Sequence, residues 1–534
     1  MAEENLCRIH PSLAAYSYNP PTTLHAWFVE PRLNASGQPS CLCGATQQGG
    51  FMSSIENLEP FNAYSLVNGQ WRSTTNTTEV LNPATGATVA QVAAQGAELA
   101  VEAVEAARAA LPSWSKTSAM ERSQYLERIS QLLLEQIDGL ALVLTTEQGK
   151  PLAEAREEIE YAASYFAWYA GEALRAYGRL VPAGAENQRV MVRKCPVGVV
   201  TAITPWNFPC ALLARKLAPA LAAGCTFVAK PALETPLTAL ALGAITRQAG
   251  IPPGVVNIVV GADSQAIGEV LTQHPAVAKF TFTGSTAIGT QLLAQCAAGV
   301  KRTSLELGGN APFLVFEDAN LEAAVDGLMA AKFRNAGQTC VSPNRILLHQ
   351  DIAAPFLALL RERMAALQMG DGEDPSTQLG PLIHAQAVVR IQQLVAAAVA
   401  AGAKVETFDQ AVPGPAFAPP QLVTNINPEM DLFQQEIFGP VVAVMTFSDE
   451  TNAVQLANAT PYGLAAYAYT QNLQRCWRLY EDLTVGMLGL NQGRISSAMA
   501  PFGGVKASGF GREGGPEGIE EYLSTHYLAW GDCT

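Results

Sequence analysis

Apolar and polar positions along the chain follow two different periods. Alanine-rich segments at 97–111, 118–138 and 153–177 repeat apolar residues at steps of three and four, which predicts amphipathic helices packed on one another. The aromatic residues Tyr161, Tyr165, Trp168 and Tyr169 on the last of these read as helix-packing core. From 197 the pattern changes. Short apolar runs at 197–205, 226–230, 255–260, 279–284 and 302–307 alternate with helical segments at 209–223, 236–249, 263–273 and 286–298. This alternation predicts a parallel sheet with helices on both faces, the α/β architecture that takes dinucleotides at its strand ends. Further strands at 313–316, 346–349 and 441–447 predict a second α/β domain. A strand and turn at 66–71 precede the helices, whereas residues 1–54 sustain neither period and read as a disordered extension, with Met52 an alternative start.

Composition narrows the class. With 534 residues, 49% hydrophobic and 15% charged, the chain has material for two or three well-filled domains. A net charge of −14 disfavours nucleic acid and anionic membranes as partners, since both need a basic face. An anionic small substrate then requires a few local arginines. The ten cysteines include no C-x-x-C pair and no zinc spacing with histidine, so no metal site or disulfide framework is expected and a reducing cytoplasm is the simplest compartment. The six histidines fall in no recognisable motif, which leaves general-base work to a carboxylate.

The candidate chemistry centres on the stretch 332–342, where Asn335-Ala336-Gly337-Gln338-Thr339 leads to a single thiol, Cys340. A G-x-G-x-x-G fingerprint is absent. In its place the run Phe282-Thr283-Gly284-Ser285 opens a helix containing Ile288, and free N–H groups at such a terminus suit a pyrophosphate. Four further motifs sit at strand ends or in the second domain: Thr204-Pro205-Trp206-Asn207-Phe208-Pro209, Lys230-Pro231, Leu305-Glu306-Leu307-Gly308-Gly309-Asn310 and Glu436-Ile437-Phe438-Gly439-Pro440. In their order and spacing these resemble the aldehyde dehydrogenase superfamily, over about residues 66–530.

The resemblance implies a Rossmann-type NAD(P)-binding domain (55–177 and 197–307), an α/β catalytic domain (308–507) and a small β oligomerisation element (178–196 and 508–534). It implies Cys340 as nucleophile, Glu306 as general base and the Asn207 amide with the Cys340 N–H as oxyanion donors. Cofactor contacts are expected from Ile203, Thr204, Pro205 and Trp206, from Lys230, Glu234 and Gly261, from Phe282, Gly284, Ser285, Ile288 and Leu307, and from Glu436 and Phe438. Leu233 stands where an NAD- or NADP-selecting residue is often found and leaves NAD against NADP open, while Glu234 tilts it slightly to NAD. Within the superfamily the chain is most similar to the succinate-semialdehyde dehydrogenase branch, on Arg215, Arg334 and Ser496, which in that branch hold the substrate's distal carboxylate. Ser342 replaces the second cysteine of a redox switch, so that regulation is not expected. Arg494 adds a cation that either recruits another anionic aldehyde, such as glutarate semialdehyde or a sulfolactaldehyde-like substrate, or pairs with an acid on a neighbouring subunit. The expected assembly is a homodimer or homotetramer. The alternatives are a non-catalytic structural member and an enzyme that passes its thioester to coenzyme A.

Overall fold

The computed structural model describes residues 64–408 and 412–532; the N-terminal extension expected at 1–54 lies outside these residues. The first strand and turn form a hairpin, β1 (Tyr64–Val67) and β2 (Gln70–Ser73), turning through Asn68 and Gly69, both at positive φ. A second hairpin, β3 (Thr77–Leu81) and β4 (Thr88–Ala93), leads into α1 (Ala97–Trp114). The single helix expected at 118–138 is two. Gln136 leaves helical geometry (φ −112°, ψ 18°) and separates α2 (Ala119–Glu135) from α3 (Ile137–Gln148), although the apolar spacing continues across the break. Gly149 then takes the left-handed conformation (φ 92°) between Pro83 and Pro381, and Pro151 opens α4 (Leu152–Ala173).

The chain next makes a ribbon, β5 (Arg179–Val181) and β6 (Arg189–Pro196), before entering the alternating region. There β7 (Val199–Ile203), α5 (Pro209–Ala223), β8 (Thr226–Lys230), α6 (Pro236–Gln248), β9 (Val256–Ile258), α7 (Ser264–Gln273), β10 (Val277–Thr283), α8 (Thr286–Ala297) and β11 (Arg302–Glu306) follow the expected order. The five strands are parallel, in the order β11-β10-β7-β8-β9. Neighbouring strand residues feed opposite layers: Val200 and Phe227 pack under α2–α6, whereas Val199 and Val228 pack under α1, α7 and α8. The strand order reverses between β7 and β10, which opens a crevice at their carboxyl ends.

The second sheet has seven strands, most of them beyond the three expected. It contains β12 (Ala311–Val315), β13 (Pro343–His349), β14 (Lys404–Thr407), β15 (Gln421–Thr424), β16 (Val441–Phe447), β17 (Ala465–Tyr469) and β18 (Met487–Leu490), in the order β14-β15-β16-β13-β12-β17-β18. Between β12 and β13 lie α9 (Leu321–Lys332) and the turn that carries the thiol. The segment β19 (Gly509–Phe510), expected with the oligomerisation element, instead pairs antiparallel with β11 in the first sheet, and β1 and β2 complete that sheet at its other edge. The last strand, β20 (Leu523–Trp530), lies antiparallel to β6 over eight residue pairs and completes a separate three-stranded sheet. Among the described residues no helix is long and apolar enough to cross a membrane.

Candidate active site

The approach to the thiol is an unusual backbone. Asn335, Ala336 and Gly337 take φ of 50°, 53° and 78° in succession, and an alanine in that region costs about 1–2 kcal/mol. A Cβ on Gly337 would lie 2.3 Å from the Gly439 carbonyl oxygen, so the turn runs backbone against backbone. Buried polar contacts hold it there. The Asn335 N–H donates to Glu154 at 2.7 Å, its side-chain amide donates to the Asn207 carbonyl at 2.9 Å, and the Ile383 N–H donates to the Gln338 side chain at 2.9 Å. A Cβ on Gly309 would lie 2.3 Å from the Cys340 carbonyl, so the chain leaving β11 runs directly against the nucleophile.

Cys340 and Asn207 line one cavity of about 400 Å³. Asn207 donates one amide proton to the Gln338 carbonyl at 2.9 Å, which leaves the other available for an oxyanion. Burial pushes the Cys340 thiol up to about 12; Arg215 pulls it down, and the carboxylates of Glu436 and Glu306 push it further up. At rest the sulfur is therefore a thiol and needs a base. Glu306 is 4% exposed, and neither of its carboxylate oxygens has a hydrogen-bond partner. Burial, and then the charge of Glu513, push it well above the ordinary carboxylate range against the pull of Arg215 and Lys216. A carboxyl group raised in this way holds a proton more readily than an exposed one and is suited to proton exchange with a neighbouring thiol or water.

The two arginines expected to grip the substrate are not equivalent. Both line the cavity, as does Ser496. Arg215, however, is committed to Glu513: its Nε donates to Oε2 at 2.7 Å and its guanidinium lies 3.9 Å from the Phe502 ring centroid. Lys216 pairs with the other oxygen of the same carboxylate. Burial works against ionised Glu513, but the two cations outweigh it and hold its pKa below the ordinary value. Arg334 instead lies 4.8 Å from the Phe208 ring centroid, and among the described residues no carboxylate pairs with it. Arg494 pairs at 2.9 Å with Glu157 of its own chain, where the sequence had left open either an anionic substrate or an acid on a neighbouring subunit. The cavity also has walls that the motifs did not announce: Tyr161, Leu212, Phe502 and Arg390, beside Phe208 of the first motif. Tyr161 had been read as core, yet it borders the cavity as well as bonding to Tyr165 at 2.6 Å.

A second groove of about 320 Å³ opens at the carboxyl ends of the parallel strands. Ile203, Thr204, Pro205, Lys230, Glu234, Phe282, Gly284 and Ile288 line it, joined by Leu233 and Ser264. Trp206, Ser285, Leu307, Glu436 and Phe438 line the catalytic cavity, and Pro205 and Gly284 belong to both. The groove fits a dinucleotide on three observations. The buried hydroxyls of Thr204 and Thr283 have no partner, Lys230 has only a long 3.4 Å contact to the Pro231 carbonyl, and a Cβ on Gly284 would lie 2.4 Å from the Phe282 ring. Gly261 is not in this lining; a Cβ there would meet the Gln95 carbonyl at 2.3 Å, so the backbone runs tight against residue 95. Phe438 takes φ 57° and stands edge-on to Trp206 at 5.6 Å, and the Glu436 carboxylate accepts the Gly309 N–H at 3.2 Å.

The thiol and the amide donor thus share a cavity that adjoins the groove through Pro205 and Gly284, and the buried Glu306 carboxyl, absent from both linings, is close enough to act on the thiol's charge. Residues 71–528 match the model of the aldehyde dehydrogenase family, and the chain belongs to that family. The chain is 49% identical to a probable succinate-semialdehyde dehydrogenase [NADP(+)] of Sinorhizobium fredii, over 85% of this chain and 92% of that one. It is 46% identical to a glutarate-semialdehyde dehydrogenase of Pseudomonas aeruginosa, over 89% and 99% of the two chains. The crystal structure of succinate-semialdehyde dehydrogenase from Burkholderia pseudomallei superposes with a TM-score of 0.86 at 46% identity, covering 88% of this chain and 98% of that one.

Proposed function

We propose that the enzyme oxidises an aldehyde bearing a distal carboxylate, succinate semialdehyde first among them, to the corresponding acid. The observation that carries this reading is Arg334: a guanidinium without a carboxylate partner, facing the same cavity as Cys340. Arg334 is half-buried, with the Glu154 charge near it but no carboxylate hydrogen-bonded to it, and an incoming carboxylate can give its guanidinium two hydrogen bonds. Ser496 adds a hydroxyl. Arg215, already balanced by Glu513, contributes positive potential beside the thiol more than a grip on substrate.

The Cys340 sulfur adds to the aldehyde carbon as its proton passes to Glu306, and the carbonyl electron pair moves to oxygen. The Asn207 amide and the Cys340 N–H receive that oxyanion. NAD or NADP held in the adjoining groove would supply the acceptor for the hydride of the resulting carbon. Glu306 releases the thiol proton to solvent and, ionised again, takes a proton from water attacking the Cys340 thioester; the tetrahedral adduct collapses to the acid, and the departing thiolate regains a proton from Glu306. Gly284 and Ser285 would hold the pyrophosphate, Lys230 and Glu234 the adenosine ribose, and Glu436 with Phe438 the nicotinamide ribose. The exposed Glu234 carboxylate beside Lys230 favours a 2′-hydroxyl over a 2′-phosphate and hence NAD. The domain limits read from the sequence remain part of this reading, with β19 assigned to the first sheet by its pairing with β11, and the absence of a C-x-x-C pair or zinc spacing among the ten cysteines supports a reducing cytoplasm.

The test is a kcat/KM panel of succinate semialdehyde, glutarate semialdehyde and uncharged butyraldehyde with each cofactor. Arg334→Ala is expected to raise KM for the carboxylated aldehydes about 10- to 100-fold, the worth of one charge-assisted pair, and to leave butyraldehyde nearly unchanged. Arg215→Ala should impair all substrates alike. Equal losses on charged and neutral aldehydes in Arg334→Ala would overturn the carboxylate reading, and a larger kcat/KM for glutarate semialdehyde would move the optimum to the longer tail.

A further inference from the structure

We propose that Asn335 is a positioning residue for the oxyanion donor, and that Gln148, from the end of α3, sets its orientation. The inference rests on the proposed oxidation through Cys340 and Asn207. It concerns four side chains that are almost wholly buried: Gln148 (0% exposed), Asn335 (1%), Gln338 (0%) and Asn207 (5%).

Each end of this network accepts only one assignment of its amide atoms. The Lys150 backbone N–H, which only donates, meets the near atom of the Gln148 amide at 3.1 Å, so that atom is oxygen. The Gln148 nitrogen then faces Asn335 at 3.0 Å, and the Asn335 atom it meets is oxygen. The Asn335 nitrogen is thereby turned toward two groups that only accept, the Asn207 carbonyl at 2.9 Å and the Gln338 carbonyl at 3.4 Å. The Gln338 carbonyl is also where the Asn207 side chain spends its first amide proton, at 2.9 Å. Asn335 thus governs Asn207 twice, through its backbone carbonyl and through the carbonyl on which its amide leans. Lys150 reinforces the first contact by donating its ammonium to the Asn207 carbonyl at 2.8 Å. With both anchors in place, the second Asn207 proton has one direction left in the cavity it shares with Cys340.

The left-handed backbone alone does not call for this side chain, because Gly337 shows that glycine serves in the same turn. Asn335→Gly therefore keeps the turn and removes the amide, and Gln148→Met removes the upstream link without leaving a buried charge. In the full chain each variant would be measured for kcat and KM with succinate semialdehyde, for NADH affinity by fluorescence, and for the rate at which iodoacetamide alkylates Cys340 at one fixed pH. Alkylation forms no oxyanion, so it reports the loop and the thiol without the donor. The expected result is a fall in kcat of about 10- to 100-fold from a misaimed donor, with KM, NADH affinity and alkylation each within about twofold of wild type. The double variant Asn207→Ala/Asn335→Gly should be no slower than Asn207→Ala. Unchanged kcat, or alkylation falling in step with kcat, would overturn the positioning role. Full kcat in Asn207→Ala would remove the donor itself and with it the mechanism on which the inference stands.

Discussion

At the scale of residues, the charge state of Cys340 is set by groups far apart in the chain. Burial pushes the thiol to about 12, and the one cation that opposes it, Arg215, is itself shared with Glu513. For an acid whose pKa is raised, the neutral form prevails below that value, so the thiolate fraction grows about tenfold for each pH unit through the neutral range. Alkylation of cofactor-free enzyme by iodoacetamide, corrected with a Cys340→Ala blank for the partly exposed Cys195 and Cys476, is expected to climb from pH 7 to 9 without a plateau. A plateau below pH 8 would mean that the resting sulfur is already ionised. Cys340, Glu306 and Asn207 were legible because each stands in a contiguous motif. The Arg215–Glu513 pair was not, because its partners are 298 positions apart and neither residue type announces a buried ion pair. Asn335 and Gly337 did carry a signal, since both tolerate positive φ; the signal shows that a left-handed turn is possible but not what the Asn335 amide grips.

At the scale of elements, the corner between α3 and α4 braces the site. Within twelve residues it supplies Glu147, Gln148, Lys150, Glu154 and Glu158, of which Glu147 and Glu158 receive backbone N–H groups at two helix starts: Leu237 and Thr238 of α6, and Cys210 and Ala211 of α5. Charge at such a terminus is favoured by the helix dipole. Periodicity predicted the helices on either side but not this function, because a buried carboxylate interrupts the apolar pattern without revealing its partners. Burial nevertheless pushes the Glu147 carboxyl up to about 8 from 4.5, so the folded chain holds a proton that the unfolded chain releases. The stability this group contributes is complete below pH 4.5 and is lost as the pH rises through 8. Glu147→Gln turns a donor toward one of the two helix N–H groups and is expected to cost about 1–3 kcal/mol in urea denaturation at pH 5. The gap between wild type and variant should narrow toward pH 8, and a gap that widens with pH would contradict the assignment.

At the scale of the whole molecule, the two large sheets meet their helices in filled cores, while the third sheet has little to cover it. In β5 and β20 the side chains of Leu180, Tyr527 and Leu528 are 78%, 74% and 49% exposed, beside a surface groove that also takes in Met191 and Val192 of β6. Such a ribbon, closed at its base by the Val197 N–H donating to the Tyr522 carbonyl, lacks the packed apolar face that a sheet of three strands needs for stability. The resemblance implied a β element at 178–196 and 508–534; the exposure of both faces was not legible, because apolar residues alone do not say whether their cover comes from the same chain. A second copy is the natural cover, in keeping with the homodimer or homotetramer expected from the family resemblance. Sedimentation equilibrium at micromolar concentration should therefore find no monomer in the wild-type chain. Tyr527→Asp combined with Leu528→Asp should shift the population toward monomer and lower the temperature of unfolding, because each charge would be desolvated without a partner. A wild-type chain that sediments as a monomer would mean that the ribbon withstands water on both faces without a second copy, and the cause of its stability would have to be sought in β6 and β20 themselves.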